Sequence, residues 1–187
     1  MPKIHTSTIL SAKTVLQILA KSHAEEATLR QYLKNLQTTG LIPKSGRGGG
    51  RNAARWTNEH LIDFFLSIIG SATAADATSA VSEFGALETT WSDYGTSTLR
   101  ADLLQVINKY SDRKSWVDGR SFPLEIHAVH HEDPYVIIKF EPPRGSENEF
   151  SMTYQPQGFS GQRDFSLGRR TMAIIVGGQV FEQLADL

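Results

Sequence analysis

Apolar residues recur at helical spacing through the first 110 positions and change to alternation after residue 122. Ser11 to Lys21 predicts a helix, with Ser11 as N-cap and Val15, Leu16, Leu19 and Ala20 in one stripe. A second helix is expected from Ala24 to Thr38. Its buried face reads as Ala27 or Thr28 with Leu29, Tyr32, Leu33 and Leu36. Glu25 and Glu26 fall in its first turn, where the helix dipole favours acids. Gly40 suits the position just past its end, and Pro43 follows. Two short helices joined by a few residues make a helix-turn-helix candidate.

Lys44 to Arg55 cannot continue as a helix, because it carries four glycines and four basic residues. It reads as a basic loop or hairpin. Thr57 can cap a third helix, Asn58 to Ile69, that is apolar on most faces and so fills a core or meets a partner. Ala74 to Leu87 is expected to be helical, Thr89 to Thr96 to be a loop, and Thr98 to Tyr110 to be an amphipathic helix with Leu99, Leu103, Val106, Ile107 and Tyr110 on one face. Leu124 to His131 and Tyr135 to Glu141 read as a hairpin around Glu132, Asp133 and Pro134. Phe150 to Tyr154 and Thr171 to Val176 are further strands, residues 142–145 and 155–168 are loops, and Gln179 to Leu187 is a closing helix. The fold class is therefore α+β, with a helical middle and a small antiparallel sheet carrying a helix.

Composition narrows the picture. The 40% apolar and 21% charged content excludes wholesale disorder. No run of 18 apolar residues predicts a membrane span, and Met1 to His5 lacks the blocks of a signal peptide, so a cytoplasmic protein is expected. Absence of cysteine removes disulfides, thiol nucleophiles and Cys-ligated zinc. Charge is split along the chain. Residues 1–60 hold nine Lys/Arg against three Asp/Glu, a net of +6, while the remainder is −7. The basic third suits a polyanion. Two units are expected, 1–70 and 71–187.

Three segments in order carry a family resemblance: Leu29-Arg30-Gln31-Tyr32, then Gly40-Leu41-Ile42-Pro43, then Arg55-Trp56-Thr57. Residues 12–69 resemble the MerR-type winged helix-turn-helix, which has Leu-Arg-x-Tyr in its second helix, then Gly-Leu-Ile/Leu-Pro, and a wing ending in Arg-Tyr-Thr. The wing here holds more glycine, the first helix lacks the usual turn sequence, and nothing after residue 70 resembles MerR effector domains. The resemblance implies a double-stranded DNA-binding transcriptional regulator, of the kind that small phages and mobile elements carry.

In such a head the second helix enters the major groove. Thr28, Arg30, Gln31, Lys34, Asn35 and Thr38 then point outward. Arg and Lys pair with guanine, Gln and Asn with adenine. Lys44, Arg47, Arg51 and Arg55 would contact phosphates or enter the minor groove. One head covers a half-site, so a homodimer is expected, with the C-terminal unit oligomerising or binding a protein partner. The helices at 58–69 and 98–110 serve equally well as interface or as core.

Other chemistry is weaker. The glycine-rich loop lacks the Gly-Lys-Ser/Thr of a P-loop, and one Gly-Arg tract is thin support for RNA binding. His127, His130 and His131, beside Glu132 and Asp133, read as polar strand positions ahead of a metal site. Arg163, Arg169 and Arg170 read as surface charge. No nucleophile elbow is present, so no enzyme and no cofactor are expected. The rivals are an excisionase-like DNA-bending factor and an adaptor or inhibitor whose basic loop grips an acidic protein.

Overall fold

A computed structural model describes residues 12–22, 24–44, 54–91, 95–110, 123–130, 133–140, 150–159 and 172–177. The helices are α1 (Ala12–Ser22), α2 (Glu26–Thr39), α3 (Asn58–Ile69), α4 (Ala77–Gly85) and α5 (Leu99–Tyr110). The strands are β1 (Glu88–Trp91), β2 (Gly95–Thr98), β3 (Pro123–His130), β4 (Tyr135–Phe140), β5 (Phe150–Tyr154) and β6 (Met172–Gly177). The class is α+β, with two small antiparallel sheets. The expected helix at 179–187 and Arg163, Arg169 and Arg170 lie outside the described residues.

The third helix forms where its sequence places it. Thr57 caps it by accepting from the His60 N–H, while His60 Nδ1 accepts from the Thr57 N–H at 3.0 Å. His60 thereby fills the place that Glu or Gln takes in the usual capping box. Every residue from Leu61 to Ile69 is buried. Gly70 ends the helix, and a side chain there would collide: a Cβ would lie 2.7 Å from Phe84 Cδ2 and 2.8 Å from the Leu66 oxygen. The missing Cβ is what lets α4 come so close.

Two expectations change in the middle of the chain. The helix foreseen from 74 to 87 begins as a 3-10 turn over Ala74–Asp76, continues as α4 and stops at Gly85. The loop foreseen at 89–96 contains a hairpin instead, with Glu88 opposite Thr98 and Trp91 opposite Gly95. Its β-branched threonines suit a pleated strand. Glu88 and Gln155 exchange two backbone hydrogen bonds of 2.8 and 2.9 Å, which fasten the hairpin to the end of β5.

The larger sheet runs β5-β4-β3-β6, all antiparallel. Ile126 sits between Ile138 and Val176, and Ala128 between Val136 and Ile174. This register turns Ile126, Ala128, Val136, Ile138, Phe140, Met152 and Tyr154 to one buried face. One continuous core joins that face to α3, α4 and α5 and onward to α1 and α2. The division expected at residue 70 thus coincides with no break in packing.

Polar ties cross the same boundary. His130 Nε2 donates to the Ile69 carbonyl at 2.9 Å, and its ring lies 5.2 Å from Phe84. Within the later part of the chain, Tyr154 donates to Asp102 at 2.9 Å and Ser97 to the other carboxylate oxygen at 2.6 Å, which ties β5 and β2 to α5. Burial, with the adjacent carboxylate, raises the Tyr154 phenol far above its ordinary range. Across the boundary again, Arg100 grips Asp63 with Nε and Nη2 at 2.8 and 3.3 Å. This hydrogen-bonded carboxylate raises the Arg100 pKa against the lowering effect of burial. The Asp63 side chain is 9% exposed and that of Arg100 38%. Arg100→Ala should therefore cost about 1–3 kcal/mol, discounted from a fully buried pair, because it strands the carboxylate. Asp63→Ala should cost less, since the guanidinium can turn to water. Denaturant unfolding of both variants checks this, and equal losses would refute the asymmetry. No helix among the described residues is long and apolar enough to cross a membrane.

Candidate nucleic-acid interface

The second helix is held by one arc and leaves the other to solvent. Leu29, Tyr32, Leu33 and Leu36 are buried against the rest of the helical layer. Tyr32 donates its hydroxyl to the Ser71 carbonyl at 3.2 Å, which fixes the helix to the turn after α3. At the far end Gly40 takes φ +82° in the left-handed region, and the Gly40, Leu41 and Ile42 N–H groups all return to the Leu36 carbonyl. Ile42 is then fully buried.

Ala27, Thr28, Arg30, Gln31, Lys34 and Thr38 are exposed. Ala27 and Thr28, allowed above as part of the buried face, therefore lie outside it: the four large residues already define an arc that excludes both. Asn35 also departs from expectation. It is half-buried, its Nδ2 donates to the Ala74 carbonyl at 2.5 Å, and its Oδ1 accepts from Gln31 Nε2 at 3.2 Å. The 3-10 turn and α4 dock on that flank, so Asn35 acts as a clamp inside the protein. Thr38 bonds back to the Lys34 carbonyl at 2.8 Å, a helix-internal contact, and Lys34 itself is exposed.

Arg30 is exposed but not loose. Its Nε donates to Glu26 Oε1 at 3.0 Å, and its Nη2 pairs with the same oxygen. From the sequence, Glu26 was expected only to complement the helix dipole. The four-residue spacing from acid to base was the signal for this pair.

The basic segment is anchored at both ends. On one side Gln37 Nε2 donates to the Pro43 carbonyl at 3.3 Å, beside buried Ile42. On the other, Trp56 is buried with its ring edge-on to Phe64 at 5.5 Å. Lys44 and Arg55 are exposed next to these anchors. Arg47 and Arg51 lie outside the described residues. The structure thus brings Arg30, Gln31, Lys34 and Thr38 onto one solvent face, and ties the segment with Lys44 and Arg55 to the same helical layer.

The histidine candidates separate. His127 Nε2 donates to Glu125 Oε2 at 2.7 Å, and Lys139 Nζ reaches the same oxygen at 3.4 Å. The His127 hydrogen bond, and secondarily the lysine, hold the Glu125 carboxyl below its usual range. His130 points to the opposite face, where its Nε2 carries a proton for the Ile69 carbonyl. His131 lies outside the described residues. Among the described residues no three His, Asp or Glu side chains gather as metal ligands would. A polar cleft of about 310 Å³ opens between Glu88, Thr89, Thr153 and Gln155–Phe159, and among the described residues no histidine, cysteine or lysine lines it. No protein-family model, no curated protein and no solved structure matches this chain.

Proposed function

We propose that the chain is a sequence-specific double-stranded DNA-binding regulator of the phage or mobile-element kind, reading DNA as a dimer through α2 and the basic segment 44–55. The observation that carries this reading is the solvent arc of α2. Arg30, Gln31 and Lys34 stand on a helix whose opposite arc is locked by four buried side chains and by the Tyr32 and Asn35 hydrogen bonds. A helix so mounted can enter a major groove as a rigid body, with donors suited to guanine and adenine edges. Lys44 and Arg55 sit where the flanking segment leaves and rejoins the helical layer, and cations there supply the sequence-independent attraction to phosphates. A second copy is required because one head spans a single half-site.

Selection of bound sequences from a random duplex pool tests the proposal. The expected result is a recurrent, two-fold symmetric site. A non-symmetric result removes the dimer, and no retained duplex at low salt removes the function. Bending of the selected duplex without promoter overlap would move the assignment to an architectural recombination factor. Within the same assay, neutralising Arg47 and Arg51 together should reduce the slope of log affinity against log salt by roughly 2, about one for each phosphate no longer neutralised. An unchanged slope takes those two residues out of the interface.

A further inference from the structure

We infer that Glu26 is a positioning residue for sequence readout: its carboxylate orients the Arg30 guanidinium so that the free edge of that group reads one guanine. The inference rests on the assignment of α2 as the DNA-reading helix.

Neither side chain is held by packing. That of Arg30 is 62% exposed and that of Glu26 49%, so the guanidinium takes its orientation from the pair. Both hydrogen bonds converge on Glu26 Oε1, from Nε at 3.0 Å and from Nη2. They occupy the side edge of the guanidinium. Of its five N–H groups, both on Nη1 and the second on Nη2 remain. One from each of these nitrogens forms the end-on fork, whose spacing matches O6 and N7 of guanine. An arginine without such a partner must lose several side-chain rotations when it meets a base, whereas one already braced loses fewer.

The placement suits the task. Glu26 is the first residue of α2, where the dipole favours a carboxylate, and an acid four residues before a base is the better order for a helical pair. The N-terminal turns of a recognition helix are those that approach base edges. A carboxylate on this turn also repels phosphates. Orientation and charge therefore act in opposite directions, and the two can be separated.

The test uses the full chain, a duplex selected from a random pool, and its variants at the base pair where Arg30→Ala loses discrimination. Glu26→Ala should lower the preference for guanine at that position by about three- to tenfold, part of what one bidentate pairing is worth. It should leave the other positions unchanged and bind random duplex as tightly as the native chain or more so. Glu26→Gln keeps an acceptor oxygen without the charge. It should retain most of the preference and still gain on random duplex. Glu26→Ala with full preference at that position, or with an equal loss on every duplex, overturns the inference. A native chain that shows no sequence preference also overturns it, but by a different route, since the reading of α2 then fails first.

Discussion

Arg30→Ala is expected to weaken binding to the selected duplex by about 5- to 100-fold, ~1–3 kcal/mol, while random duplex loses only a few-fold. Lys34→Ala should behave in the same direction. Both side chains are exposed on the free arc of α2, so their removal should leave the melting temperature nearly unchanged. The contrast between duplexes is the informative quantity. Removing a cation that meets phosphate weakens binding to every sequence alike, whereas removing one that meets a base weakens only the site that supplies that base. Fluorescence anisotropy at fixed salt with both duplexes measures it, and equal losses would mean that this face of α2 meets only the DNA backbone.

The largest stability loss is expected at Phe84. Its side chain is 1% exposed and lies where α4, the end of α3 and β3 meet, against Gly70 and beside the His130 ring. Phe84→Ala should cost about 3–5 kcal/mol, by lost transfer energy and the cavity left behind. For a chain of this size that lowers the melting temperature by roughly 6–20 °C. Phe84→Leu should cost distinctly less, because it refills most of the volume. Thermal unfolding followed by circular dichroism compares the two. A loss below about 1 kcal/mol for the alanine variant would show that the junction does not depend on this ring.

The elements that were legible in the sequence are those whose signals are local. Asn58–Ile69 has its cap, its apolar run and its terminating glycine in one stretch, and the structure keeps those bounds. The alternation in β3, β4 and β5 likewise survives folding. The hairpin β1–β2 was missed because Glu88, Thr89, Thr90, Gly95, Thr96, Ser97 and Thr98 offer no apolar alternation; only the β-branching of the four threonines pointed to strand. Asn35 shows a different limit. Its position on the helix permits either a base-reading role or an internal clamp, and the choice is made by the 3-10 turn some 39 residues later. Glu26 and Arg30 had their spacing in plain view, but the geometry of the fork they leave free belongs to three dimensions.

The unbroken burial from Leu61 to Ile69 has a practical consequence. A fragment cut near residue 70 would keep the whole of α3 while removing α4, α5 and the sheet, whose buried residues share one core with it. Such a fragment carries a helix greasy on nearly every side into water, and will aggregate or adopt a substitute partner. The first 70 residues have to be studied with the rest of the chain attached. By the same coupling, a lesion deep in the sheet can disturb the helical layer without altering a single outward-facing residue of α2.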